Sequence, residues 1–286
     1  AQNRLDETAA LLRDMVTDDD GDVGALAGLL QTYVEAGDLD AARTLLDERL
    51  ERDPDSAALR MMQAGLLSLD DRLDDAEALY REIIAAQPDY APAYRTLFAL
   101  LAAQDLPIDA AAVVDAGVDA TRDPDLVFTK ASLLETQEDF DGAIALYEEL
   151  YAQNSASDLV ANNLASLLTS HRSDPESLNR AFTIARRLRA SNVPHFQDTY
   201  GWILTRRGDP RLALSYLEQA ARALPENALV QYHLGMTYLA LERWDEAETA
   251  LQRAIAETDP ESTLPQIARA REEIAGIIER RAAASQ

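Results

Sequence analysis

Apolar residues recur along the chain in two interleaved sets, each at helical spacing. In one set an apolar residue, an alanine three places later and a second apolar residue four beyond that share a side: Leu39–Ala42–Leu46, Leu73–Ala76–Tyr80, Phe140–Ala143–Tyr147 and Trp244–Ala247–Leu251. Steps of three, four and seven fall on one face of an α-helix. The other set precedes it, as in Leu26, Leu29, Leu30 and Tyr33, in Tyr94, Leu97, Phe98 and Leu101, and in Leu234, Gly235 and Tyr238. Between the two sets lie turn-forming pairs: Gly37-Asp38, Asp70-Asp71 and Gly208-Asp209. Pro54, Pro88, Pro225 and Pro260 follow the second set, where a helix must stop. The pattern predicts a helix, a short turn and a second helix, many times over.

The alanine is the clearest marker. Ala42, Ala76, Ala110, Ala143, Ala181, Ala213 and Ala247 follow one another at intervals of 34, 34, 33, 38, 32 and 34 residues, and Thr8 extends the ladder backwards by 34. A period of this size marks a stacked array, in which each unit buries its apolar face against its neighbours. A methyl group in the middle of that face lets two helices approach closely. A leucine there would have to push them apart, at a cost of about 1–3 kcal/mol.

The repeating unit resembles the tetratricopeptide repeat. Residues 228–261 match that pattern through Leu234-Gly235, Tyr238, Ala247, Leu251, Ala254 and Pro260, and residues 57–90 match it through Ala64, Leu67, Ala76, Tyr80 and Pro88. The resemblance covers about residues 1–261. It implies an all-α, right-handed α-solenoid of about seven helix hairpins, with an N-terminal half-repeat and a C-terminal capping helix. The units are expected at 23–56, 57–90, 91–123, 124–157, 158–193, 194–227 and 228–261, flanked by 1–22 and 262–286.

Three stretches depart from the regular unit. Residues 1–18, with Leu5, Thr8, Leu12 and Met15 in register, read as a second helix whose first helix is missing: either the chain is a fragment of something longer, or this is a natural half-repeat cap. In the third unit Pro107 is expected in the first turn of its helix, where proline is tolerated, and Gly117 replaces a better helix former. The fifth unit carries extra residues around His171–Asn179, where Asp174-Pro175 suggests a longer turn. A helix is expected at about 265–282, with Ile267, Ile274, Ile277 and Ile278 on one side. It would cover the last repeat, or else bind a partner.

Composition narrows the function. The net charge is −25, and Lys130 is the single lysine. That balance repels phosphate backbones, so nucleic acid is an unsuitable partner. Asp6, Asp40, Asp74, Asp141 and Asp245 have a local role at the starts of second helices. There is no cysteine, hence neither disulfide nor thiolate chemistry. Thr17–Asp22, TDDDGD, lacks the closing glutamate of a calcium loop and reads as an acidic turn. No apolar run is long enough to span a membrane. His195 and Asp198 could share a helix face, but no nucleophile or metal set accompanies them. The expectation is a protein with no catalytic site, metal or cofactor.

The remaining candidate site is the groove. In arrays of the tetratricopeptide type the first helices line the concave side. The second, fifth, ninth and twelfth places of each unit would face it. In the last three units these are Leu159, Asn162, Ser166 and Thr169, then His195, Asp198, Trp202 and Thr205, then Leu229, Tyr232, Met236 and Leu239. Trp202, Tyr232 and Met236 are expected to face solvent; the alternative is that Trp202 and Tyr232 pack on the neighbouring repeat. Asn162, Ser166, Asp198, Arg206 and His233 would stand beside them, aromatic anchors next to hydrogen-bonding groups. Arg95 stands alone in its unit, so the carboxylate clamp of chaperone-binding members looks absent. The expected function is a non-catalytic scaffold binding a protein or peptide segment. The alternative is an assembly module that self-associates through the N-terminal half-repeat or packs on missing upstream repeats. NNLASLL, DTYGW and YHLGMTYL, over residues 158–255, are similar to segments of bacterial repeat proteins of envelope and exopolysaccharide systems; the compartment, bacterial cytoplasm or periplasm, is left open.

Overall fold

The structure is a computed structural model and describes residues 8–12, 23–172, 174–259 and 264–284. Leu5, Asp6, Met15, the acidic turn at 17–22, Pro260, Ser262 and Thr263 lie outside the described residues. Residues 8–12 are helical. Fifteen further helices follow: α1 (Val23–Ala36), α2 (Leu39–Arg52), α3 (Ala57–Leu69), α4 (Leu73–Ala86), α5 (Ala91–Ala103), α6 (Pro107–Thr121), α7 (Pro124–Thr136), α8 (Phe140–Gln153), α9 (Asp158–His171), α10 (Pro175–Ala185), α11 (Pro194–Arg206), α12 (Pro210–Ala223), α13 (Ala228–Ala240), α14 (Trp244–Ala256) and α15 (Pro265–Ala284). A 3-10 turn, Arg186–Ala190, extends α10. Among the described residues there is no strand. The fold is an all-α solenoid. The chain divides into two compact units, residues 1–133 and 134–286.

Local chemistry starts and stops these helices. The side chains of Asp38, Asp139, Ser157, Asp174 and Asn227 each accept a backbone N–H in the first turn of α2, α8, α9, α10 and α13. Each such cap contributes about 1 kcal/mol. Pro107 does fall in the first turn of α6, and Asp174-Pro175 opens α10. The turn inside a hairpin needs one residue in the left-handed region. Gly37 (φ 76°) and Gly208 (φ 88°) supply it at no steric cost, whereas Asp71, Asp105, Glu138 and Glu242 adopt it against the preference of a side chain.

The alanine ladder is fully internal. Ala42, Ala76, Ala143, Ala181, Ala213 and Ala247 are completely buried and Ala110 nearly so. At the N-terminal end the register differs from the sequence expectation: Thr8 is exposed and Ala9 is the buried small residue. Glycine takes the tightest approaches. A Cβ on Gly235 would lie 2.7 Å from the Leu251 side chain and 3.2 Å from its backbone nitrogen, and one on Gly201 would lie 2.7 Å from Leu217. Gly117, a weak helix former by sequence, is required in the same way by Tyr94 and Leu126, each within 2.9 Å of the absent Cβ.

In the second unit α15 packs on α13 and α14. It buries Ile267, Ala270 and Ile277 there, with Ile274 half-buried. Ile278 departs from the expected apolar side and is 52% exposed, because one residue further round the helix turns it away from α14. Arg281 reaches Asp245 (2.7 Å) and Glu248 (2.9 Å) on α14.

Candidate functional site

Within residues 134–286 the first helices α9, α11 and α13 touch side by side, and α15 continues the row against α13. This row buries a large share of polar groups. Asn162, Thr169, Gln197, Asp198, Thr199, Gln231, His233 and Thr237 are all less than a tenth exposed, and all sit on α9, α11 or α13. Burying a polar group without a partner costs about 1–3 kcal/mol, so nearly every one is bonded.

The bonds run from helix to helix. His233 Nδ1 on α13 lies 3.0 Å from both oxygens of Asp198 on α11, and both side chains are buried. A carboxylate can only accept, so Nδ1 carries the proton and donates it. The Thr205 and Thr237 hydroxyls meet at 2.7 Å, and Arg206 Nη1 donates to the Thr169 carbonyl at 2.9 Å. Gln231 Nε2 donates to the Ala221 and Pro225 carbonyls, tying α13 to the end of α12. On α9, Asn162 Nδ2 donates to Asn163 Oδ1 and Asn163 Nδ2 to the Tyr147 hydroxyl. That hydroxyl donates to Glu135 at 2.7 Å. Burial pushes the Glu135 carboxyl upward, and the Tyr147 bond offsets part of the push. Asn162 Oδ1 is buried and has no hydrogen-bond partner among the described residues.

An aromatic cluster covers the Asp198–His233 pair. The Trp202 ring stacks on His233, with centroids 4.3 Å apart and 14° between planes, and Tyr232 tilts against Trp202 at 6.0 Å. The Arg206 guanidinium stands 5.7 Å from the Trp202 ring centroid, within cation–π range. Ile267 and Ala270 of α15 close the cluster. Burial raises the Tyr232 hydroxyl above its ordinary range, with Arg269 and Arg206 pulling it back.

These contacts correct one expectation. Trp202 and Tyr232 do not face solvent; each is 8% exposed. The reason is α15, which lies across the place where a first helix of another hairpin would pack. Asn162, Asp198 and His233 are buried too. Of the expected groove residues, Arg206 is exposed and Ser166 and Met236 are half-buried. His195 is exposed, and the imidazole on Asp198 belongs to His233. Gln197, Thr199, Gln231 and Thr237 belong to the same polar row and were not singled out by sequence. Part of the signal was available at the fourth place of the last two units, where Gln197 and Gln231 stand in place of the apolar Leu26, Tyr94, Val127 and Ala161 of other units. Among the described residues no group of three His, Asp or Glu side chains could hold a metal ion, and no helix is long and apolar enough to cross a membrane.

A family model described as the tetratricopeptide repeat matches residues 1–66 and 204–280, half of the chain. The chain belongs to the tetratricopeptide repeat family. No curated protein matches the sequence. Among solved structures, the Cut9–Hcn1 hetero-tetramer of the APC/C is similar at 13% identity with a TM-score of 0.54, over 96% of this chain and 53% of that one. The chain thus spans about half the length of that relative. A tetratricopeptide repeat protein from Parabacteroides merdae aligns at 13% identity and a TM-score of 0.49, over 90% of this chain and 98% of that one. YrrB, described as having an unusual peptide-binding site, aligns at 19% identity and a TM-score of 0.40, over 79% and 97%. At such identities the Cut9–Hcn1 likeness shows the tetratricopeptide fold and nothing finer.

Proposed function

We propose that the chain is a non-catalytic scaffold and that α9, α11 and α13 seat a peptide segment of a partner protein. The tetratricopeptide repeat is a protein-interaction scaffold, and the finer reading rests on one observation. The first helices of residues 134–286 bury eight polar side chains where aliphatic ones would hold the hairpins together more cheaply. Such a network fixes the helices in one register and holds its surface member still. That member is Arg206, bonded to the Thr169 carbonyl, and Ser166 and the half-buried Met236 lie on the same helices. Arg206 offers a forked set of donors for a carbonyl or carboxylate. Met236 offers a pliable apolar contact. Trp202 and Tyr232 act from beneath, as the floor on which Arg206 is laid.

The experiment is selection of displayed peptides on the whole chain. Binding of the selected peptides is then measured to the parent, to R206A/M236A and to R95A. R206A/M236A is expected to weaken binding at least about tenfold with an unchanged melting temperature. R95A is expected to leave it within about twofold. Failure to select any binder, or binders indifferent to R206A/M236A, would refute the reading.

A second reading, self-association near the N-terminus, draws on Leu11, which is 68% exposed beside the buried Ala9. Sedimentation of the chain and of L11E tests it: a dimer abolished by L11E supports assembly, and a monomer at all concentrations removes it.

A further inference from the structure

The chain is strongly acidic, yet residues 180–222 carry eight arginines against three acids, Asp198, Asp209 and Glu218. Two of those acids are already engaged. Asp198 is buried against His233, and Glu218 accepts the Tyr238 hydroxyl at 2.9 Å. Several arginines of the second unit pair with carboxylates: Arg172 with Asp141, Arg180 with Glu148, Arg187 with Asp158, Arg243 with Glu246 and Arg281 with Asp245. Arg186, Arg189 and Arg207 are exposed and have no carboxylate partner among the described residues. With acids outnumbering bases about two to one along the chain, a stretch with eight arginines against three acids reverses the local balance.

They surround an aromatic surface. Phe182 on α10 stacks with Tyr200 on α11 at 6.3 Å, and Tyr200 meets the edge of Tyr216 on α12 at 5.1 Å. Phe182 and Tyr216 are half-buried and Tyr200 is buried. The Arg207 guanidinium lies 4.0 Å from the Phe182 ring centroid, braced by the Asn179 side-chain oxygen at 2.6 Å. Arg186 and Arg189 project from the 3-10 turn that extends α10. Burial raises the Tyr200 hydroxyl, Tyr216 adds to that, and Arg189, Arg186 and Arg207 all oppose it. This surface is made by α10, the turn that extends it, α12 and the outer side and end of α11, and shares no residue with the peptide row.

We propose that the patch of Arg186, Arg189 and Arg207 over Phe182 and Tyr216 docks an acidic stretch of polypeptide. Carboxylates suit guanidiniums through paired, charge-assisted hydrogen bonds. Three like charges held together repel one another, and an incoming acidic segment relieves that repulsion as well as adding bonds. The exposed faces of Phe182 and Tyr216 give an apolar side chain of the same segment a place to rest. A nucleic acid would meet the field of the whole molecule, net −25, along its length, whereas a short peptide carries few charges beyond the patch.

The test is fluorescence anisotropy of labelled octaglutamate and of labelled oligothymidylate with the full chain at low salt. Octaglutamate is expected to bind. R186E/R189E should weaken it at least about tenfold, and the control R253E/R271E by less than about twofold. If R186E/R189E shifts the melting temperature, R186Q/R189Q replaces it and should still weaken binding several-fold. No binding of octaglutamate, equal losses in the patch and control variants, or oligothymidylate bound at the patch as tightly as octaglutamate would each overturn the proposal.

Discussion

The two units use one hairpin for different ends. Both keep the alanine ladder: Ala42, Ala76 and Ala110 in residues 1–133, and Ala143, Ala181, Ala213 and Ala247 in residues 134–286. Their first helices differ. Those of the first unit bury Leu26, Leu29, Leu30, Leu59, Leu66, Tyr94, Leu97 and Leu101, with Thr32 the one buried polar side chain described there. Those of the second unit bury eight polar groups, among them a carboxylate and an imidazole. Charge differs as well. The first unit holds 28 acidic and 11 basic residues and the second 23 and 15. Positions between the two helices of a hairpin are fixed by packing density and leave no room for function. Positions between successive first helices tolerate polarity, as at Asp198–His233 and Thr205–Thr237, and there the second unit departs from the first.

The largest expected effect tests whether the aromatic cluster is core or contact surface. W202A should cost about 3–5 kcal/mol, like any buried tryptophan, against about 2–5 for L97A in the first unit. Urea melts of both variants measure this. A W202A protein as stable as the parent would return Trp202 to the surface and undo the comparison.

Next comes the Asp198–His233 pair. D198A leaves the imidazole N–H unpaired in a dry site and should destabilise by about 1–3 kcal/mol. D198L/H233F replaces both partners with apolar groups and should recover most of that loss. The same double variant is expected to lose the peptides selected on the parent. If it is as unstable as D198A, the polar row is ordinary core after all, and the contrast with the first unit carries no functional meaning.

The fold was legible because its signals are local and periodic. The Ala42-to-Ala247 series, Leu234-Gly235 and the residues ahead of Pro107 and Pro175 each specify a contact inside one hairpin or with the next. The site was only partly legible. Asn162, Ser166, Asp198, Trp202, Arg206, Tyr232, His233 and Met236 could be placed on first helices. Which of them are covered depends on a separate element, α15; the spacing of Ile267, Ile274 and Ile277 placed it over the last repeat but not against Tyr232 in particular. The Asp198–His233 bond joins residues 35 apart, one step more than the usual repeat. One residue rotates a side chain by about 100° on a helix, so reading equivalent places pairs Asp198 with Tyr232 and misses the imidazole.

Titration offers a smaller effect with a definite sign. The folded-state value of Glu135 is raised above its unfolded one by burial. Its contribution to stability is therefore complete below the unfolded value and is lost as pH rises through the folded one. E135Q keeps an oxygen for the Tyr147 hydroxyl and never ionises. It should melt above the parent at neutral pH, with the gap closing in acid. His171, stacked on Phe140 at 3.5 Å, runs the other way. Burial and then Arg172 depress it, so its contribution holds above the unfolded value and fades as pH falls. H171F should close on, then overtake, the parent as the solution is acidified. An E135Q gap that stayed constant with pH would show that the carboxyl is not held in a desolvated place.

The smallest effect concerns the charge difference. Arg43 links Asp40 and Asp70 in the acidic first unit, and Arg281 links Asp245 and Glu248 in the second. Both arginines are exposed, as are Asp40 and Asp245, while Asp70 and Glu248 are half-buried; ion pairs at such a surface contribute little in isolation. Their surroundings differ, however. Removing Arg43 leaves its two aspartates among a larger excess of like charge, so R43M should lower the melting temperature more than R281M at low ionic strength. At about 0.15 M salt the screening length falls to about 8 Å, and beyond that concentration the difference should vanish. Equal shifts at low salt would mean that the acid excess of the first unit acts on solubility alone and exerts no strain on its hairpins.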